Sequence, residues 1–272
     1  MDERIQMVRD HYDANAEKEW ERLAGNPYEF ILTTWMMEKY IRPGQRILDI
    51  GGGPGRYAIH FARMGCEVVL VDLSEGNIAL AKQKAQEAGV SIQAHVCNCL
   101  ELDRLALGQY DHVFLIGPLY HLQEEEQRAQ AVRMAIQHLK PGANLYASFI
   151  LAFAGVIYNL QHEGFLEGDM ANPHSARLID NVLQGENYIG PAFTSVCFHH
   201  QNQILPFMES FDLEKLHFFG QEGILAPNRL ELARRTESEQ ACWLEVAKRL
   251  LETPELLSFS EHAMYIGRKK AS

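Results

Sequence analysis

Ile47-Leu48-Asp49-Ile50-Gly51-Gly52-Gly53-Pro54-Gly55 decides how this chain is read. An apolar run ends near an acidic residue and meets a glycine-dense turn. Ala58, Ile59, Phe61 and Ala62 follow at helical spacing. Glycine admits φ > 0 and lets a ligand approach the backbone closely. A strand feeding such a turn and then a helix is how doubly wound α/β folds grip a nucleotide. A dinucleotide fingerprint G-x-G-x-x-G needs glycine three residues after Gly53, and Arg56 stands there. That pattern therefore fails, although an NAD(P)-binding oxidoreductase stays the nearest alternative.

Outward from this stretch the alternation continues. Strands are predicted at 46–50, 67–72, about 91–96, 111–116 and 143–151. Helices are expected from about Arg56 to Met64, from Ser74 to Gly89, and from about 123 to 139 before Lys140-Pro141-Gly142. Such alternation gives a parallel sheet with helices on both faces. Ahead of it, residues 1–42 read as a helical cap: one or two amphipathic helices over 2–24 and another over 28–41. Residues 153–198 carry Phe153, Tyr158, Phe165, Tyr188, Phe193 and Phe198, with glycines at 155, 164, 168, 185 and 190 and no clean period. They are expected to form a lid insertion. Helix 201–210, strand 212–219, a long helix near 229–252 and a final strand 262–268 complete the chain. The last two strands are expected to pair like a hairpin, the final one antiparallel. The whole reads as one α/β domain over 1–272: a doubly wound, mostly parallel, seven-stranded Rossmann-like sheet with its last strand antiparallel, plus the lid.

Composition agrees with a globular protein. Apolar residues make 47% and charged residues 22% of 272, enough for a core without staples. The net charge of −11 gives no footprint for nucleic-acid backbone and disfavours anionic membrane. No apolar stretch is long enough for a span. The N-terminal Met1-Asp2-Glu3-Arg4 lacks the apolar centre of a signal peptide. Five cysteines, an odd number without C-x-x-C, suit free thiols in the cytoplasm. Cys97 and Cys99 have no second Cys/His pair at ligand spacing, so no metal is expected.

The pattern D-x-G-x-G-x-G, with Asp49 as its acid and Gly51, Gly53 and Gly55 as its glycines, resembles the cofactor loop of class I S-adenosylmethionine-dependent methyltransferases. Gly117-Pro118-Leu119-Tyr120-His121-Leu122 and the later Leu139-Lys140-Pro141-Gly142 are similar to a broad bacterial group of small-molecule methyltransferases. The resemblance implies S-adenosylmethionine as cofactor. Asp72, ending strand two, would accept both ribose hydroxyls, and Leu73 would lie on the adenine face. Asn98 replaces the family's usual aspartate beside the adenine amino group, with the Cys99 backbone on a ring nitrogen. Ile116 and the segment after it would pass the sulfonium.

His11-Tyr12-Asp13-x-x-Ala16 resembles the entry helix that closes the cofactor pocket. Tyr12 is then a partner for the methionine carboxylate or a packing residue, and Arg22 its counter-ion or a solvated charge. Tyr120 and His121 are the first candidates to meet substrate, His121 as base or as loop support. His199, or its neighbour His200, is a third candidate, facing the pocket from the lid. Glu222 is a weaker one. The segment after strand four lacks the Asp/Asn-Pro-Pro-aromatic motif of nucleobase methylases, which agrees with the charge. The expected acceptor is a small, partly apolar molecule. A silent cofactor-binding protein remains a different reading, and a homodimer is left open.

Overall fold

The computed structural model describes residues 3–162, 167–168 and 171–271. Met1, Asp2, Gly164 and Phe165, all named above, lie outside the described residues. The chain forms β1 (Arg46–Ile50), β2 (Glu67–Asp72), β3 (Gln93–Val96), β4 (Tyr110–Leu115), β5 (Leu139–Ile150), β6 (Tyr188–Pro191), β7 (Ser195–Phe198), β8 (Leu213–Gly220) and β9 (His262–Lys269). Seven of these make one sheet, ordered β3-β2-β1-β4-β5-β9-β8. β1 to β5 run parallel, while β9 runs antiparallel to both of its neighbours. The order reverses between β1 and β4, so their carboxyl ends diverge and open a crevice.

Helices α1 (Glu3–Ala24), α2 (Pro27–Met37), α3 (Arg56–Arg63), α4 (Glu75–Glu87) and α5 (Glu125–Gln137) surround the parallel half. Alternate strand residues divide the core. Leu48, Ile50, Val113, Leu115 and Leu145 pack on one face against Ala131, Val132 and Ala135 of α5. Ile47, Val68, Leu70, Phe114 and Tyr146 pack on the other against α2, α3 and α4. Both faces are covered, which is why the central strands β1, β2 and β4 are mostly apolar.

Residues 3–24 form one helix kinked at Asn15, whose side-chain amide donates to the His11 carbonyl at 2.7 Å. The helix expected to Ile41 stops at Met37. β5 starts earlier than expected: Leu139 already pairs with Tyr110, and a register shift follows. Residues 153–198 do contain regular structure, namely α6 (Ala154–Gln161), α7 (Pro173–Gln184) and the antiparallel pair β6–β7. After α8 (Gln201–Glu209), the single helix expected near 229–252 is broken. A short α9 (Arg229–Leu232) precedes α10 (Glu237–Leu250), whose N-cap Thr236 accepts from the Glu239 N–H. Forty-one residues separate β8 from β9, so their antiparallel pairing is not a hairpin. Among the described residues no helix is long and apolar enough to cross a membrane.

Candidate active site

The β1–α3 turn floors a cavity at the crevice. Gly53 sits at φ +56°, a left-handed conformation that suits glycine. A Cβ on Gly52 would stand 2.6 Å from Asp49 Oδ2, so the acid and the turn fit together only without a side chain. Gly51 lies against the Pro118 ring. Gly55 does not line the cavity; it packs on Ala81 and so seats α3 on α4.

Asp72 lies across from this turn. Its Oδ2 accepts the Gly53 N–H at 2.9 Å, and its Oδ1 accepts the Ser74 N–H at 2.9 Å and the Asn77 amide at 3.2 Å. A carboxylate offers about four acceptor sites. Three are filled, so one acceptor position, on Oδ2, is left open. Asp49 is the opposite case. Among the described residues neither of its oxygens has a donor, although the residue is 1% exposed. Burial, with the neighbouring Asp72 charge, pushes its carboxyl up to about 7. A buried carboxylate without a partner costs free energy until a cation arrives.

Leu73, Asn98, Cys99 and Ile116 complete the cavity wall. Asn98 Oδ1 accepts the Leu100 N–H at 3.0 Å, turning the chain after β3. Burial pushes the Cys99 thiol up to about 12, so it stays protonated. The crevice thus offers an unpartnered carboxylate for a cation, an acidic acceptor for a hydroxyl and an apolar slot for a flat ring. Those are the groups of S-adenosylmethionine, and the residues fit it.

A second cavity, about 710 Å³, adjoins the first. Tyr158, Tyr188, Phe193 and Phe198 line it from the 153–198 segment, while Phe153 does not. Five residues line both cavities and form the neck between them: Tyr12, Glu19, Arg22, Tyr120 and His262. Arg22 donates twice to Glu19, at 2.7 Å each. Tyr120 is held between these layers, and burial raises its phenol well above its usual range.

The three expected histidines separate. His121 lines the first cavity, with Nδ1 3.2 Å from the Ser195 carbonyl and Nε2 2.9 Å from the Tyr12 hydroxyl. A carbonyl can only accept, so Nδ1 carries the proton and Nε2 accepts from Tyr12. Burial pushes this ring down to about 4, and it stays neutral. It joins α1, the β4 loop and β7, as loop support would. His199 lines neither cavity. It is a core residue with its ring 5.0 Å from Phe149, and burial pushes it down to about 3. Strand alternation turns it inward, and His200 caps α8 instead, accepting the Asn202 N–H.

Several lining residues were not anticipated. Glu29 is buried, accepting from the Tyr57 hydroxyl and from Gln221 Nε2 at 2.9 Å; Ser148 donates to Gln221 Oε1. His262 is the other, with Nδ1 2.6 Å from Glu222 Oε1. Glu222 itself lines neither cavity. The available signal was a polar, acid-bearing pair at the adjoining ends of two strands, Gln221-Glu222 after β8 and Glu261-His262 at the start of β9.

Residues 47–142 match a family described as "Methyltransferase domain". The ubiquinone biosynthesis O-methyltransferase of Hahella chejuensis is 30% identical over 132 residues, which is 46% of this chain and 54% of that protein. That of Pseudomonas aeruginosa is 26% identical over 165 residues, 55% of this chain and 68% of that protein. The chain thus spans roughly half to two thirds of the length of the curated relatives it matches. Among solved structures, the magnesium protoporphyrin IX methyltransferase of Synechocystis PCC 6803 superposes with TM-score 0.60 at 15% identity, covering 98% of this chain and 100% of that one. The 1,6-didemethyltoxoflavin-N1-methyltransferase of Burkholderia thailandensis gives 0.57 at 16%, covering 97% and 88%. At such identities these structures speak for the fold.

Proposed function

Since the chain belongs to the class I S-adenosylmethionine-dependent methyltransferases, we propose that it methylates a small, partly apolar acceptor held in the second cavity. The observation that carries this reading is the shared neck. A crevice suited to the cofactor opens, through five common residues, onto an aromatic cavity within the 300–1,000 Å³ range of small-molecule sites. When bound, S-adenosylmethionine supplies a methyl carbon already activated by its sulfonium.

The chain's own residues supply position and dryness. Asp49 would take the ammonium end and Asp72 a ribose hydroxyl. Leu73, Asn98 and Cys99 would border the adenine. Arg22 is tied to Glu19, so its availability to the methionine carboxylate depends on which contact is stronger. Residues 153–198 would act as the lid, laying aromatic rings over the acceptor and excluding water. With an activated methyl, alignment and desolvation supply most of the rate. Relatives named as O-methyltransferases agree with a small acceptor, as does the net charge of −11.

Calorimetry with S-adenosylhomocysteine and with NAD(H), followed by methyl-transfer screening over small phenols, amines and carboxylic acids, tests the reading. Binding of S-adenosylhomocysteine alone and transfer to a member of the panel are expected. Binding of NAD(H) instead would return the chain to the oxidoreductases. Binding of S-adenosylhomocysteine with no transfer to any class would make it a silent binder.

A further inference from the structure

Histidines 11, 121 and 262 line the two cavities, and they differ in what their nitrogens do. Both nitrogens of His121 are occupied, by Ser195 and Tyr12. Among the described residues, His262 is the one of the three whose ring is backed by a carboxylate. Glu222 is fully buried, with Oε1 2.6 Å from His262 Nδ1 and Oε2 accepting the N–H groups of Glu261 at 3.1 Å and His262 at 3.0 Å. Two backbone N–H groups donate to this carboxylate, which favours its charged form, so it stays ionised and can only accept. The proton of a neutral His262 ring is therefore on Nδ1. Nε2 keeps its lone pair, and among the described residues it makes no hydrogen bond. The ring stands in the neck, where an acceptor would approach the methyl group.

A pair needed only to hold β8 to β9 would not have to sit at this junction. Burying a carboxylate completely is costly, and the backbone N–H groups that offset the cost also fix its direction. The resulting arrangement is a base oriented by a third group, the general form of an activated proton acceptor. We propose that His262, oriented by Glu222, is the general base that takes the proton from a hydroxyl on the acceptor, and that the acceptor is therefore an O–H nucleophile carried on an apolar ring. This rests on the methyl-transfer reading above and adds the acceptor class to it. The second cavity supplies the ring's surroundings through Tyr158, Tyr188, Phe193 and Phe198.

In the step, the acceptor's O–H bond breaks and its proton passes to Nε2. The oxygen's electron pair forms the O–CH3 bond. The C–S bond breaks, and its pair remains on sulfur, which becomes neutral. The imidazolium is stabilised by Glu222 until it releases the proton to solvent as product leaves. An amine needs no such base once neutral, whereas a hydroxyl is a poor nucleophile until it loses its proton.

The groups facing His262 set its proton affinity. Burial opposes protonation. Glu222 from the turn after β8, Glu261 beside it and Glu29 from α2 outweigh that, and the ring is held above the ordinary 6.5. Arg229 pairs with Glu261 at 3.2 Å and moderates its share. The Tyr120 ring lies 6.5 Å away.

The test uses the full chain with S-adenosylhomocysteine bound. Imidazole NMR follows His262 against pH in the wild type and in Glu222→Gln. Separately, 4-nitrophenol is added, and its visible phenolate band is read in the wild type and in His262→Gln. We expect His262 to titrate above 6.5, with the neutral ring protonated on Nδ1. Glu222→Gln should lower the midpoint by about one to three pH units, the effect of losing a close opposite charge. The phenolate band should grow on binding to the wild type and not to His262→Gln. His262→Gln should also lower methyl transfer to a phenolic acceptor by about 10²–10⁴-fold. An unmoved midpoint in Glu222→Gln, no phenolate gain in the wild type, or an equal gain in His262→Gln would each overturn the base. Failure of the wild type to bind S-adenosylhomocysteine would instead overturn the methyl-transfer reading. If His262→Gln does not fold, Glu222→Gln decides: with the weaker base its phenolate gain must be smaller than that of the wild type, and an equal gain overturns the base.

Discussion

Asp49 makes a quantitative statement about ligand binding. Its folded value is about 7 against an ordinary 3.8. Between those values the ligand-free folded chain holds a proton that the unfolded chain has lost. Stability therefore falls as pH rises through this window and stays low above it. At about 1.4 kcal/mol per tenfold change in proton affinity, the full penalty is about 4 kcal/mol as an upper bound. Asp49→Asn removes the penalty. The ligand-free variant should be more stable than wild type at pH 8 and equal to it below pH 4, by denaturant or thermal unfolding. Binding reverses the sign. An ammonium beside Asp49 favours the carboxylate, so the proton must leave as the ligand enters. At pH 6 a group titrating near 7 is about nine-tenths protonated, and the ligand should release close to that fraction of a proton. Calorimetry of S-adenosylhomocysteine in buffers of different ionisation heat measures this number directly. Wild-type affinity should rise by up to about tenfold per pH unit below 7 and level off above it. Asp49→Asn should bind more weakly and lose this dependence. No proton release at pH 6, or the same release from Asp49→Asn, would refute the placement of a cation on Asp49.

Three further expectations follow from the same geometry. Asp72→Ala should weaken S-adenosylhomocysteine binding by about 1.5–3 kcal/mol, the range for a hydrogen bond to a charged group. It should also lower the thermal midpoint, because the N–H groups of Gly53 and Ser74 lose their acceptor; calorimetry and melting separate the two effects. Gly53→Val should fold with some loss of stability and fail to bind, since the nearest atom to a Cβ is 3.9 Å away yet φ is +56° and the turn floors the cavity. Normal binding by that variant would move the ligand elsewhere. Tyr12→Phe should lower stability by about 0.5–1.5 kcal/mol through the lost bond to His121. It should leave the pH profile of methyl transfer in place, because His121 is neutral above pH 5; a moved profile would make His121 the titrating base.

The parallel half of this molecule was legible because its signals are local. The glycine turn, the acid at its head and Asp72 at the end of the next strand occupy one βαβ unit, and proximity in sequence becomes proximity in space. Asn98, Cys99 and Ile116 followed by the same logic, each just beyond the carboxyl end of a parallel strand. The 153–198 segment gave no period because β6 and β7 are four residues each, and Gly190-Pro191 ends the first. His199 misled for a related reason. Its neighbour His200 suggested a loop-borne pair, whereas β7 and a bridge to Leu151 fix alternation at that point and bury the ring.

His262 was hidden by direction rather than by distance. In a parallel sheet the site collects the residues that end each strand, and a reading of the sequence looks there. β9 runs the other way, between β5 and β8, with His262 opposite Ile150 and Ala263 opposite Gly220. An antiparallel strand enters where its parallel neighbours leave. Its first residue, not its last, therefore reaches the crevice, beside the turn that carries Gln221 and Glu222. The same inversion lets the backbone N–H groups of Glu261 and His262 meet the Glu222 carboxylate as β9 begins. The reversed strand thus brings two backbone donors to Glu222 and, through that acid, sets an oriented histidine at the neck between the two cavities.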